Sequence, residues 1–490
     1  MAGPDLMKRF TSFRADFTAS LVVFLVAVPL CVGVAVASGV PAELGLVTGV
    51  VGGLLTGLLP GSSLQVSGPA AGLTVLVFEA VKEYGLGTLG ALVLAAGVLQ
   101  LAMGALKLGR WFRAISVAVV QGMLAGIGLV LIAGQLYALT DAKAPGSGLA
   151  NIGGFPGLVT STVGSPDALA ALAIGAGTIA VLVLWPRWRP AARVLPAPLA
   201  AVALATTAVW ALDMPVARVQ VSGLLDAIQP PGLDDLGRLG SFGVLGTVLA
   251  FALIASAESL FSAAAVDRLH DGPKTDYDKE LMAQGAGNAV CGVLGALPMT
   301  AVIVRSAANV QAGAKTKASR VLHGVWLLVF AAAFPAALGV VPVAALAGVL
   351  VHAGCKLIPV RALGPLWREH RGEAVVLLAT AVAIVTVNMF EGVLIGLLMA
   401  VAKTAWETSH VHLEIQTPED TTEPVQVRAV GNATFLRLPK ILDQLESLPA
   451  DRDVELDLSG LRHLDHACEA ALNNWTEQHR RSAREVELVS

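Results

Sequence analysis

The sequence predicts an α-helical polytopic membrane protein: fourteen transmembrane segments in two inverted sets of seven, followed by a small α/β domain. Three observations predict it. The composition is too apolar for a water-facing surface, apolar segments recur along the chain, and two short proline-marked segments stand 229 positions apart (298 − 69).

Of 490 residues, 55% are hydrophobic and only 14% charged, with a mean hydropathy of +0.72. A soluble domain carries about 25% charged residues, so the apolar excess faces lipid. The net charge of −3 gives no nucleic-acid signal. Cys31, Cys291, Cys355 and Cys468 are scattered without a CxxC or Cys/His cluster, so disulfide and metal readings fail and buried packing is the better account. The basic, amphipathic N-terminus runs into an apolar stretch from Phe17 to Gly39 that contains Pro29. That stretch is longer than a signal-peptide core and reads as a first span.

Spanning about 30 Å of hydrocarbon takes about 20 apolar residues. Apolar segments cover 17–38, 42–59, 69–82, 86–105, 115–137, 167–185 and 195–212 in the first half of the chain. In the second half they cover 243–266, 281–297, 300–314, 321–338, 342–359, 373–388 and 390–405. An even count puts both termini on one side. Basic residues cluster at Lys8, Arg9 and Arg14, at Lys107, Arg110 and Arg113, and at Arg187, Arg189 and Arg193. Further clusters are Arg268, Lys274 and Lys279, then Lys315, Lys317 and Arg320, then Lys356, Arg361, Arg368 and Arg371. Loops 138–166 and 213–242 are poorer. With fourteen spans every rich loop falls on the side of the N-terminus, which is therefore the cytoplasmic side of the plasma (inner) membrane.

The two short segments are Val66 to Thr74 and Gly295 to Val302, each with a proline opening a helix of about fourteen residues. A helix that starts at mid-membrane leaves its first N–H groups unpaired, which is tolerable where they line a cavity or bind a ligand. Adding 229 to Phe17 lands near the start of the eighth segment, so the chain divides into two sevens. Seven is odd, so the halves are inverted, and matched interrupted segments mark a transporter's substrate site. Their positive dipole ends favour an anion between them. The competing reading is two ordinary proline-kinked helices.

Glu258 lies deep in an apolar helix, where lipid exposure costs about 3 kcal/mol. It therefore faces the protein interior, as a proton or sodium site or as a structural acid. Ser262, one turn on, shares its face. Arg305, seven residues after Pro298, is expected to neutralise the anion or pair with Glu258, with snorkelling to water as the alternative. Glu79, Asp267 and Arg268 read as boundary charges, and Gln121 and Asn288 as hydrogen-bonders between helices.

The run PMTAVIVRSAANVQAGAKTK from Pro298 to Lys317 resembles the signature of the sulfate permease family. So do the preceding QGAGNAVCGVLGALP, the segments VSGPAAGLTV and AESLFSAAAVDRL, and the ensuing ASRVLHG. The resemblance covers essentially the whole chain. It implies core and gate domains, an elevator motion, a homodimer, a C-terminal STAS domain, and sulfate, bicarbonate, chloride or dicarboxylates as substrates. It places the anion between helix starts at Ala70, Ala71 and Gly72 and at Ala301, Val302 and Ile303. Backbone N–H groups of Ala70, Ala71, Val302 and Ile303 are the implied donors, with Arg305 nearby, and Glu258 and Ser262 form the cation-coupling pair. Sodium-using bicarbonate transporters of the family have Asp at the place of Glu258, a second acid at that of Ile254, and hydroxyls at those of Ser262, Ala70 and Ile303. Only the Ser262 hydroxyl is kept, which fits a proton better than sodium as coupling ion. The wording of SLVVFLVAVPLCVGVAVASG and SGPAAGLTV leans toward bicarbonate.

After Trp406 the composition turns polar, dividing a transport domain (1–406) from a cytoplasmic domain (407–490). Strands are expected at VHLEIQ, VQVRAVG, VELDLSGL and VELVS, and helices at PKILDQLESL and HACEAALNNWTEQHRRSAR. The domain resembles a truncated STAS domain, but Leu464-Asp465-His466-Ala467-Cys468 lacks the phosphorylatable hydroxyl of that loop. A lone loop His466 is neither catalytic nor a metal ligand. The reading is a proton- or sodium-coupled symporter of a small inorganic anion, not an enzyme, because no HExxH, GxSxG or paired Cys/His set is present. No cofactor beyond the coupling ion is expected. A passive channel or exchanger, or a dicarboxylate or nucleobase permease of the same fold, is the alternative.

Overall fold

The computed structural model describes residues 4–114, 116–188, 195–221, 223–418, 423–449, 452–482 and 486–489. Arg189 and Arg193, used above for orientation, lie outside them. The chain forms two compact units, Met1–Gly396 and Leu397–Ser490.

Each of the fourteen apolar segments carries a helix. The first seven are α1 (Pro4–Ala37), α2 (Ala42–Leu58), α3 (Thr74–Tyr84), α4 (Leu86–Ala105), α5 (Val117–Ala138), α6 (Pro166–Leu184) and α7 (Ala197–Ala211). The second seven are α8 (Phe242–Val266), α9 (Tyr277–Val293), α10 (Ile303–Gln311), α11 (Ala318–Ala333), α12 (Val343–Leu357), α13 (Arg371–Thr386) and α14 (Met389–Thr408). Among the described residues, seven helices are long and apolar enough to cross a membrane. The remainder are shorter and complete their crossings as parts of the packed bundle. Outward-facing Trp210, Leu212, Leu398 and Val401 are all strongly exposed, as a lipid-facing surface requires.

Three sets of helix pairs follow one exchange rule. Helix α4 packs on α9 as α11 packs on α2; α11 packs on α1 as α4 packs on α8; and α13 packs on α5 as α6 packs on α12. Each pair becomes the other when helices seven apart are exchanged, which is the inverted repeat in three dimensions. Small residues let these pairs approach closely. A Cβ on Gly53 of α2 would lie 2.5 Å from the Gly324 Cα of α11. In the mirrored pair, a Cβ on Gly97 of α4 would lie 2.7 Å from the Gly285 carbonyl oxygen of α9.

Arg320 departs from the sequence reading as a water-facing charge. It is 2% exposed and turned onto the C-terminal end of α2. Its guanidinium donates to the carbonyls of Gly57 (3.1 Å), Thr56 (2.8 Å), Leu59 (3.2 Å) and Gln65 (3.2 Å). A helix end leaves carbonyls without partners, and the planar fork answers several of them at once. Glu280, 1% exposed, accepts from the Ser62 N–H (2.8 Å) and from Gln284 (2.7 Å). Asp16 similarly takes the N–H groups of Lys315 and Thr316 at 2.6 and 3.0 Å, fixing α1 to the loop after α10.

In the second unit, β3 (Val411–Gln416), β4 (Val425–Ala433), β5 (Val454–Leu464) and β6 (Val486–Val489) form one sheet in that order. Strands β3 and β4 are antiparallel, and the other pairs parallel. Helices α15 (Leu438–Glu446) and α16 (His466–Ser482) complete it, as expected from the sequence. Val425, Val427 and Ala429 alternate into a core with Ile441, Leu445, Leu456, Cys468, Leu472 and Trp475. The segment read as a loop, 464–468, is the end of β5 and the first turn of α16. Asp465 holds it, accepting from the N–H groups of Phe435 (2.6 Å) and Cys468 (2.8 Å). The His466 side chain is 97% exposed.

Two predictions follow from these contacts. Replacing Arg320 by Met strands the α2 carbonyls and is expected to cost about 3 kcal/mol or more, read as a lower unfolding temperature in detergent, with Arg320→Lys intermediate. Desolvation pushes the Asp465 carboxyl up, but the Cys468 and Phe435 N–H groups outweigh it and hold the group below its ordinary range. A depressed carboxylate stabilises above its unfolded pKa and loses that contribution as pH falls through the folded one. Asp465→Asn is therefore expected to speed amide exchange at the start of α16 near neutral pH. The gap should close as acid protonates the native carboxyl.

Candidate functional site

The two proline-marked segments meet at the centre of the first unit. Strand β1 (Ser67–Pro69) pairs antiparallel with β2 (Met299–Ala301), in the register Ser67↔Ala301, Gly68↔Thr300 and Pro69↔Met299. This corrects the expectation that each proline opens a helix: Pro69 ends β1 and Pro298 precedes β2. The helices begin later, after extended Ala70 and Val302. A 3-10 turn at Ala71–Leu73 leads into α3, and α10 begins at Ile303. The second half-helix is only nine residues long, shorter than the fourteen expected.

So short a ladder in a low-dielectric interior survives because side chains satisfy its edges. Asn288 of α9 accepts from the Met299 N–H (2.7 Å) and donates to the Met299 carbonyl (3.1 Å). Its amide also donates to Gln100 of α4 (2.7 Å), which reaches Ser256 of α8 (3.0 Å). Ser306 accepts from the Val66 N–H (2.9 Å), and Gln284 donates to Ser67 (2.7 Å). Ser259 accepts from the Ala301 N–H at 3.2 Å. The Val302 N–H donates to the Val66 carbonyl at 2.9 Å, so this expected anion donor is already engaged. The helix-start N–H groups without an acceptor inside their own helix are those of Ala71 and Gly72 on one side and Ile303, Val304 and Arg305 on the other. The strands are antiparallel, so the two helices leave the ladder in opposite directions with their positive ends toward it.

Ala70 and Ala301 are buried, whereas Ile303 and Val304 are 38% and 42% exposed. Glu258 of α8 reaches the first helix start. A Cβ on Gly72 would lie 1.6 Å from Glu258 Oε1 and 2.6 Å from Cδ, so the carboxylate occupies the space a side chain would fill. The Thr300 hydroxyl of β2 stands beside it, and Glu258 Oε2 has no hydrogen-bond partner. Ser262, 4% exposed, lies one turn further along α8.

Arg305 is 1% exposed, so it does not snorkel. Nor does it pair with Glu258. Its Nη2 donates to the Pro69 carbonyl at 3.5 Å, and its Nε and Nη1 have no partner. A Cβ on Gly68 would lie 2.2 Å from Nη1. The Cys31 thiol adjoins this guanidinium. Helix α11 carries His323, a fully buried histidine with both ring nitrogens unpartnered. Thr300, Cys31 and His323 were not singled out from the sequence. A histidine inside the apolar run LHGVW was a legible signal, but Thr300 and Cys31 gain meaning only through the strand pairing.

A membrane protein of inverted repeats, meeting at two half-helices with opposed positive ends, is a transporter of small anions. The sulfate permease family model matches residues 13–380, and the chain belongs to that family. Over 439 residues it is 27% identical to the putative sulfate transporter YvdB of Bacillus subtilis, covering 84% of this chain and 79% of that one. Over 473 residues it is 25% identical to the bicarbonate transporter BicA of Synechocystis, covering 88% and 79%. The fold matches the transmembrane domain of a cyanobacterial BicA with TM-score 0.66 at 23% identity, covering 80% of this chain and 98% of that one. It also matches the murine solute carrier 26 family member A9 anion transporter in its inward-facing state, with TM-score 0.77 at 15% identity, covering 97% and 84%.

An unpaired buried guanidinium is costly unless a counter-charge visits it. Arg305→Gln is expected to abolish saturable sulfate- or bicarbonate-dependent thermal stabilisation while leaving a folded, monodisperse protein. Retained stabilisation at unchanged concentration dependence would remove Arg305 from the site.

Proposed function

We propose that the protein is a coupled importer of a small oxyanion, bicarbonate or sulfate, in which Glu258 carries the coupling proton. The carrying observation is the pair of buried, mutually unpaired charges flanking the β1–β2 ladder: Glu258 at Gly72, and Arg305 at Gly68. Substrate charge is balanced by Arg305 and by the N–H groups of Ala71, Gly72, Ile303 and Val304. These groups read charge and size rather than shape, which suits a compact inorganic anion. Bicarbonate and sulfate are the substrates named for relatives.

Among the described residues no group of three or more His, Cys, Asp or Glu is placed to hold a metal ion. With Ser262 its neighbouring hydroxyl, the lone carboxylate of Glu258 favours a proton over sodium. The elements α1–α4 and α8–α11 pack around the ladder, while α5–α7, α12 and α13 pack mainly on one another. That division supports an elevator in which the first group carries the anion past the second. The basic loops support a plasma-membrane protein with both termini in the cytoplasm, and the C-terminal sheet and helices serve as a STAS-like domain in a homodimer.

The test is uptake of labelled bicarbonate and sulfate into proteoliposomes with pH and sodium gradients imposed separately. Accumulation driven by an inward proton gradient, and lost in Glu258→Gln, is expected. Accumulation that persists in Glu258→Gln contradicts the coupling role. Flux that never exceeds equilibrium, with either gradient, assigns the chain to passive channels or exchangers.

A further inference from the structure

We propose that Glu258 is a tethered competitor of the substrate: its carboxylate docks on the first half-helix at Gly72, and the anion gains that helix start only when the carboxylate leaves. The proposal rests on the anion site described above and deepens it. Three observations carry it.

The first is contact. The Glu258 carboxylate lies where a Gly72 side chain would be, at the second residue of the turn whose N–H groups have no acceptor within the helix. An anion of the protein's own already stands at a positive helix end. The second is incomplete satisfaction. Glu258 Oε2 is buried without a hydrogen-bond partner. A permanent structural carboxylate is normally fully hydrogen-bonded, whereas one that docks and leaves makes few lasting bonds.

The third is that, among the described residues, no cation is placed to fix the carboxylate. The Ala71–Leu73 turn, β2 and α4 carry no ionisable side chain. From α10, Arg305 turns to Gly68 and Pro69. From α9, Glu280 is held by Ser62 and Gln284, and Cys291 is buried. Arg238, from the turn before α8, donates to Tyr84 and Thr88, while Arg110, from the turn after α4, is exposed. Further along α3, Glu79 and Glu83 line a separate solvent-open cavity of about 200 Å³. Protonation removes the charge that the helix end attracts, the side chain is released, and the substrate takes its place. One proton thus admits one anion.

The test is equilibrium binding of labelled sulfate, whose charge is fixed over this range, to the full-length protein in detergent between pH 5 and pH 9. In the wild type, affinity is expected to fall about tenfold per pH unit above the Glu258 pKa, as linkage to one proton requires. Glu258→Gln should bind independently of pH at the acid-limit affinity. Glu258→Asp is decisive: it keeps the charge on α8 but is too short to reach Gly72, so it should also lose the pH dependence. Gly72→Ala, which fills the docking space, should do the same. A Glu258→Asp variant that follows the wild-type slope overturns the proposal in favour of a simple field effect. Glu258→Gln binding no tighter than wild type at pH 9, or not at all, overturns it as well. These outcomes are separate from the uptake assay, because coupling fails only if Glu258→Gln still accumulates substrate.

Discussion

A backbone that leaves helical geometry inside hydrocarbon must find every hydrogen-bond partner within the protein. The rest of the structure is arranged around that constraint. The chain stops being helical at Ser67–Pro69 and at Met299–Ala301, and each break becomes the other's partner through the β1–β2 ladder. Side chains from α4, α8 and α9, namely Gln100, Ser259, Gln284 and Asn288, converge to satisfy what the ladder leaves over. Two helix starts are thereby left as the positive ends at the centre of the bundle, which is the property an anion carrier needs.

Charge placement follows the same logic. Buried charges are normally paired, and Arg320, Glu280 and Asp16 obey: each is fully engaged with backbone groups or neighbouring amides. Glu258 and Arg305 do not. They flank the crossing of the two breaks, Glu258 against Gly72 of the turn after β1 and Arg305 against Gly68 of β1, and neither answers the other. The structural charges lock helix ends and loops, while Glu258 and Arg305 are left without a counter-charge, as the proposed proton and anion sites require.

The repeat, the fourteen segments and the C-terminal strands were legible because they are written in period and spacing. The offset of 229 positions between Pro69 and Pro298 located both breaks, and the alternation in VQVRAVG located β4. Sequence did not show that Pro69 lies in a strand, because proline punctuates a turn, a strand end and a helix start alike. It showed Glu258 as buried but not what it touches, since Gly72 is 186 residues away (258 − 72) and contact is a tertiary fact. Arg320 was misplaced for a related reason: a basic residue in a short loop reads as solvated, and only the fold turns it onto the end of α2. Val302 was assigned as a free donor because the ladder that engages its N–H joins the two halves of the chain.

The central claim is that one small oxyanion binds at the β1–β2 crossing, between the helix starts at Ala71 and Ile303 and beside Arg305. The most direct measurement is anomalous diffraction from crystals of the protein grown with selenate, a heavy-atom analogue of sulfate. The account predicts a single strong peak at that crossing, lost in crystals of Arg305→Gln. A peak elsewhere in the bundle, with the crossing empty, would contradict it.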